Sequence, residues 1–457
     1  MDADAGSSSS SPPLRIVIVP WLAFGHLLPY LELTERLASR GHHVSYVSTP
    51  RNIARLPPLR PAAAPRVALV ELPFPRVDGL PEGAESTHDV PDHDRELHWK
   101  AFDGLAAPFA EFLAAACADE ATRPHWIVAD CFHHWAAAAA LEHKVPFAVL
   151  LPTAALIATF PAAPVLQQQP RYEREGTALV FENSHGASAM SPIERCILTQ
   201  NRSTVAAIRS CVEWEPETFP LVPTIIGKPV VPLGLLPPSS EGARHAASSA
   251  DGEHAVLRWL DAQPPKSVLY VALGSEVPLS VKQVQEMALG LELAGTRFLW
   301  ALRKPSDTLL PPGFQERAHG NGTGTVTTGW VPQMSVLAHA AVGGFLSHCG
   351  RNSLIESLMF GHPLVMLPIF GDQGPNARQM EGKKVGLQVP RDAKDGSFDR
   401  HGVATAVRAV MLDGEDRTGF LAGAAKMQEV VVDTDLHERY IAEFVHYLRS
   451  YTAAPAS

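Results

Sequence analysis

Short apolar runs of strand length recur along this chain, each followed by a segment with helical spacing, and that alternation leaves few architectures open. Arg15 to Pro20 reads RIVIVP; a run without a polar face is what a strand covered on both sides of a parallel sheet requires. After it, a segment initiated by Pro29 places Leu27, Leu31, Thr34 and Leu37 at helical spacing as far as Ser39, and Gly41 ends it. HVSYVST follows as a second strand, so the opening is a βαβ unit with its crossover. Trp126 to Asp130, an Ala-rich helix from Trp135 to His143, and Pro146 to Leu151 repeat the pattern.

The second half alternates more clearly: strand SVLYVALG, helix Val281 to Ala294, strands RFLWALR and TVTTG, short helix MSVLAHA, strand GGFLSH, helix NSLIESLMF, strand PLVMLPI. No sequence repeat links the halves. Between them Pro237 to His254 is rich in Ser, Ala and Gly and reads as a linker. At 457 residues the chain exceeds what one core usually serves. The expectation is an α/β protein of two doubly wound, Rossmann-like domains facing a cleft. A disordered tail (1–13) precedes an N-terminal domain (14–236), the linker (237–254), a C-terminal domain (255–440) and a last amphipathic helix and tail (441–457). The polar stretch QQQPRYEREG interrupts the first domain. Pattern alone leaves open which domain receives the last helix.

Charge and cysteines narrow the partners. Net charge is −10 with no basic tract, which argues against nucleic acid or an anionic membrane surface. Val145 to Leu166 lacks charge, but Pro146, Pro152, Pro161 and Pro164 would break a spanning helix, so no stable membrane insertion is expected. Five cysteines without a CxxC fit neither a disulfide framework nor a zinc cluster and suit a reducing, cytoplasmic compartment. His42-His43 and His133-His134 invite a metal reading, but neighbouring residues point to different faces and no HExxH accompanies them. No metal ligands are assigned.

Two groups of residues fall at carboxyl ends of strands, where open α/β sheets bind ligands. His348 to Ser353 lies where a strand turns into a helix, so backbone N–H groups and the helix dipole face any anion placed there. Gly350 permits close approach, and Asn352 and Ser353 can cap the helix or donate to phosphate oxygens. Trp330 could stack on a flat base and Glu356 could accept from a ribose, though a core indole and a solvated helix carboxylate are equally available readings. In the first domain His26 follows the first strand and Asp130 ends another. A histidine there suits a general base with a carboxylate on its far nitrogen; a packing histidine and a strand-end cap are the plainer alternatives.

The segment Trp330 to Gln373, with W-V-P-Q, H-C-G-x-N-S-x-x-E and D-Q in place, resembles the C-terminal signature of plant family-1 UDP-glycosyltransferases. The likeness extends over nearly the whole chain and is strongest to cereal terpenoid-glycoside β-1,2-glucosyltransferases that act on steviol glycosides. The resemblance implies the GT-B fold and an inverting transfer without metal, with a UDP-sugar as co-substrate. It implies that Trp330 stacks on uracil, Val331 holds its edge, and Gln333 and Glu356 bind ribose. His348, Gly350, Asn352 and Ser353 would hold the diphosphate, with Gly274 and Ser275 facing it, and Asp372 and Gln373 would bind the sugar hydroxyls. It matches His26 and Asp130 to a catalytic dyad.

Arg351 departs from the pattern, since glucosyltransferases of this family usually carry Trp there. Its fork of donors suits a carboxylate, so UDP-glucuronic acid stands beside UDP-glucose as donor, and a UDP-sugar-binding protein with impaired turnover is the reading from another class. For the acceptor, Trp21, Phe24, Phe132 and Trp135 could wall an apolar pocket suited to a small-molecule glycoside, though all four could equally be core. Glu85-Ser86-Thr87-His88-Asp89 could supply polar contacts.

Overall fold

A computed structural model of the chain describes residues 12–158, 170, 172–173, 190–239, 251–274, 279–302, 309–329 and 331–452. Its strands form two parallel sheets. The first contains β1 (Arg15–Val19), β2 (His43–Ser48), β3 (Val67–Glu71), β4 (Trp126–Asp130), β5 (Phe147–Leu151), β6 (Val205–Ile208) and β7 (Val230–Pro232), in the order β3-β2-β1-β4-β5-β6-β7. The second contains β8 (Val268–Ala272), β9 (Arg297–Ala301), β10 (Gly324–Thr327), β11 (Val342–Ser347), β12 (Leu364–Met366) and β13 (Gly386–Gln388), in the order β10-β9-β8-β11-β12-β13. The expected pair of doubly wound sheets is therefore present.

The apolar runs explain themselves once both faces are covered. Along β1, Ile16 and Ile18 enter the core beneath helix Phe24–Ser39, while Val17 and Val19 enter the core on the opposite face. β4 and β5 are buried along their whole length. The strand order reverses between β1 and β4 in one sheet and between β8 and β11 in the other. Each reversal leaves a crevice beyond the carboxyl ends of its central strands.

Several boundaries differ from expectation. The first helix begins at Phe24, so Pro29 lies inside it. The strands at Val67, Val205, Val230 and Gly386 were not foreseen, for they are short or lie at sheet edges where apolar alternation fades. Residues 251–254 of the anticipated linker already belong to helix Asp251–Asp261. The rest of that linker from 240, the tail to residue 11, and most of the stretch QQQPRYEREG lie outside the described residues.

The last helix, Thr434–Thr452, answers the question of where the chain end docks. Leu436 and Tyr440 pack in the core of the second sheet, whereas Ile441, Phe444, Val445 and Leu448 pack beneath the first. Trp126 Nε1 donates to the Leu448 carbonyl at 3.0 Å. Ile441, Phe444 and Leu448 are fully buried, and each such side chain contributes roughly 1.5–3 kcal/mol. That is enough to bind the C-terminus onto the N-terminal domain. Among the described residues no helix is long and apolar enough to cross a membrane.

Candidate active site

β1 delivers the chain into the first turn of helix Phe24–Ser39, and β4 ends on Asp130, so two neighbouring strands bring His26 and Asp130 together. His26 Nδ1 lies 2.6 Å from Asp130 Oδ2, with the imidazole side chain 25% exposed and the carboxylate fully buried. A fixed Nδ1 contact selects the tautomer and aims Nε2 outward. Burial opposes ionisation of Asp130, but the attraction and hydrogen bond of His26 prevail and hold its carboxyl below the usual carboxylate value. Tyr30, one turn along the helix, has its hydroxyl 2.9 Å from Asp130 Oδ2 and 2.8 Å from the Leu150 carbonyl. Nothing in the sequence pattern marked Tyr30, whose role needs the third dimension.

The second sheet presents backbone. Gly274, after β8, has φ +78°, and a Cβ there would stand 2.8 Å from the His348 ring. Gly350 is just as close to that ring from the other side. His348 is thus held between two turns that only glycine allows to approach it. Cys349 takes φ +68°, and its N–H is satisfied by Ser347 Oγ at 3.1 Å. Helix Arg351–Leu358 then starts from Gly350 without a side-chain cap, leaving its first N–H groups directed at the cleft.

Around this turn the polar side chains hold one another. Gln333 Nε2 donates to Glu356 Oε2 at 2.6 Å and reaches Ser353 Oγ at 3.4 Å. Burial raises the Glu356 carboxyl despite that bond. Burial likewise pushes the Asp372 carboxyl up, against a hydrogen bond from Asn376 and the positive neighbours Arg351 and His26. Gln373 is less versatile than its side chain suggests: its Oε1 accepts from Ile369 N–H at 2.8 Å and Phe370 N–H at 3.1 Å, so only its amide hydrogens remain to donate. Val331 is buried and, with Gly274 and Gln333, lines a narrow recess beside Tyr270 and Ala301. Ser275 and Trp330 lie outside the described residues.

Arg351 is where the geometry corrects the sequence reading. Its Nε and Nη2 both donate to the Arg209 carbonyl, at 3.0 and 2.6 Å, and the guanidinium is buried near Glu215 and Trp214. Two donors of the fork expected to read a donor carboxylate are committed to backbone at the domain junction. Arg209, which directly follows β6 and was not anticipated, supports that junction. Its guanidinium donates to the Leu235 and Leu236 carbonyls and to Asn352 Oδ1. Asn352 Nδ2 in turn donates to the Gly25 carbonyl at 3.3 Å. A helix bond is missing there because Pro29 has no N–H to give Gly25 four residues earlier. Asn352 therefore ties the turn after β11 to the peptide next to His26.

The four anticipated acceptor aromatics do not form one wall. Trp21 is 5% exposed, stacked on Trp99 at 4.3 Å and edge-on to Phe102 and Phe132. Trp135 is core, against Phe102 and Phe109. Phe24 packs on the opposite face of the sheet, with Arg55 over its ring. Phe132 remains beside the base, 6.5 Å from the His26 ring centre. The polar run near residue 85 is likewise occupied: Asp89 binds Arg55 through both oxygens and closes a capping box with Ser86, and Glu85 accepts from Arg51 N–H. Of the paired histidines, His42 accepts from Leu14 N–H. His133 packs edge-on against Phe102 and Trp135, and burial holds it neutral down to about 4. Among the described residues no three His, Cys, Asp or Glu side chains gather as a metal site.

Residues 232–418 match the family model described as UDP-glucoronosyl and UDP-glucosyl transferase, and residues 13–180 match the glycosyltransferase N-terminal domain. The chain is 38% identical to UDP-glycosyltransferase 91D2 of Stevia rebaudiana, covering 97% of this chain and 96% of that protein. It is 34% identical to soyasaponin III rhamnosyltransferase of Glycine max over all of both chains. Among solved structures, Arabidopsis thaliana UGT89C1 complexed with UDP-L-rhamnose superposes with a TM-score of 0.78 at 25% identity, over 96% of this chain and 100% of that one. Its two parallel α/β domains have the GT-B arrangement, and the chain belongs to the plant family-1 UDP-glycosyltransferases.

Proposed function

We propose that the chain transfers glucose from UDP-glucose, with inversion, to a hydroxyl of a small glycosylated natural product. A steviol-type terpenoid glycoside is the favoured acceptor and a β-1,2 sugar-sugar bond the product linkage. The carrying observation is the His26–Asp130 contact facing a turn whose backbone suits a diphosphate. His26 Nε2 takes the acceptor proton as the oxygen attacks the anomeric carbon, and Asp130 stabilises the imidazolium. The bond from that carbon to UDP breaks in the same displacement. The first turn of helix Arg351–Leu358 offsets charge developing on the leaving diphosphate. Asp372 and the Gln373 amide orient the sugar, close enough to the base that His26 acts on the Asp372 carboxyl. In this reading residues 14–236 bind acceptor, residues 255–440 bind donor, no resident cofactor takes part, and the protein works in the cytoplasm.

The names of two relatives, soyasaponin III rhamnosyltransferase and a flavanone 7-O-glucoside rhamnosyltransferase, support an acceptor that already bears sugar, but both move rhamnose. UDP-L-rhamnose is therefore the second donor to weigh. UDP-glucuronic acid loses ground, since Arg351 is engaged at the domain junction. The test is UDP release from each of the three donors, with and without a panel of terpenoid glycosides, alongside product masses. Acceptor-dependent release fastest with UDP-glucose, and a product heavier by one hexose, is the expected result. Release that no acceptor stimulates with any donor would overturn the transferase reading, and a faster rhamnose product would reassign the donor.

A further inference from the structure

We propose that Cys131 and Cys196 form a reversible disulfide site, and that closing it slows sugar transfer. Cys131 directly follows Asp130 at the end of β4, and Cys196 lies on helix Pro192–Arg202. Their sulfurs stand 2.9 Å apart, the Cys196 thiol donating to the Cys131 sulfur, and both residues are partly exposed. A disulfide needs about 2.05 Å between sulfurs, so closure asks for a movement of less than about 1 Å. Cys211 and Cys349, by contrast, are buried, and Cys349 is taken up in the tight turn after β11.

Both ends of the proposed bond reach the site. On one side, Cys131 shares a peptide bond with the carboxylate that orients His26. On the other, Cys196 follows Arg195, whose guanidinium binds Asp103 through both oxygens and lies 4.7 Å from the Trp99 ring centre. Trp99 is stacked on Trp21, which meets Phe132 beside the base. Drawing the sulfurs together pulls on the strand end carrying Asp130 and on the aromatic wall at once.

The chemistry needs a low-molecular-weight disulfide such as glutathione disulfide. The Cys196 thiolate attacks one of its sulfurs, forming a mixed disulfide and releasing one thiol. Cys131 then loses its proton, displaces the second half and closes the protein bond. Two protein thiols are oxidised, one reagent disulfide is reduced to two thiols, and the protons pass to the released thiolates. The hydrogen bond shared with Cys196, and then burial, push the Cys131 thiol up.

The test treats the full-length protein with glutathione disulfide. It follows intact mass, the cross-linked peptide and kcat, before and after dithiothreitol. A loss of about 2 Da mapping to residues 131 and 196, with kcat at least tenfold lower and restored by reductant, is expected. Cys196→Ser should retain basal kcat within about twofold and show neither change. Failure to recover the 131–196 peptide while free thiols persist would overturn the site. A quantitative cross-link with unchanged kcat would overturn its coupling to Asp130. The mass readout stands whichever sugar or acceptor the protein uses.

Discussion

The two sheets meet the cleft differently. At the N-terminal edge the proposed chemistry rests on one pair of side chains, His26 and Asp130, backed by Tyr30. At the C-terminal edge the proposed diphosphate site rests on two glycine-permitted turns and an uncapped helix start. There the conspicuous side chains hold one another: Gln333 with Glu356, Gln373 with its own loop, Arg351 with Arg209. A base must change protonation state at one atom, so it is a side chain with a tuned partner. A diphosphate gains negative charge as it leaves but needs no proton from the protein, so fixed dipoles suffice. Single-atom changes should therefore be severe in the first domain and graded in the second.

The largest effect should follow His26→Ala, which lowers kcat by about a thousandfold or more while calorimetric UDP affinity stays within threefold. Substantial remaining turnover would remove His26 from the role of base. Asn352→Ala crosses from one region to the other. It removes the partner of Arg209 Nη1 and of the Gly25 carbonyl together, so kcat/KM should drop by roughly ten- to hundredfold. If that loss appears wholly as weaker UDP binding with kcat intact, the tie to the base is not functional.

Acid should separate the domains as structures. Burial holds His98 and His133 in the first domain, and His362 in the second, at about 4 instead of the ordinary 6.5. Between those values the unfolded chain binds protons that the folded chain refuses. Stability is therefore full above about 6.5 and falls as pH drops toward 4. The melting temperature should fall by on the order of 5 °C or more from pH 7.5 to 5, with hydrogen exchange rising first around His98 and His133. A flat profile would show that these rings are not held neutral. The smallest effect is expected for Arg351→Trp: the ratio of glucose to glucuronic acid use should change less than about threefold, because the guanidinium is engaged at the domain junction. A tenfold change would restore Arg351 as a reader of the donor.

Much of this was legible in the chain. The run RIVIVP announced a strand buried on both faces, and the histidine after it and the aspartate ending WIVAD fell at carboxyl ends, so their meeting was expected. Arg209 and Tyr30 were invisible because each is defined by a partner distant in sequence: Asn352 for one, Asp130 for the other. The acceptor wall stayed open between pocket and core for a related reason. Trp21, Phe24 and Trp135 are apolar residues near a catalytic loop, and sequence alone does not say whether such a ring faces a cleft or a core. Which sulfurs lie together was beyond composition too, since Cys131 and Cys196 are 65 residues apart.

Pro29 gives the molecule a way of checking its own assembly. By withholding one N–H from the first helix, it leaves the Gly25 carbonyl without its helical donor and open to Asn352 from the other half of the protein. The turn bearing His26 gains that bond only when the two halves are in register. An Ala at position 29 would supply the missing N–H locally and stiffen the helix, but the turn would then no longer draw on the other half for it. Such a change trades thermal robustness against the coordination of two halves, and the native proline favours coordination.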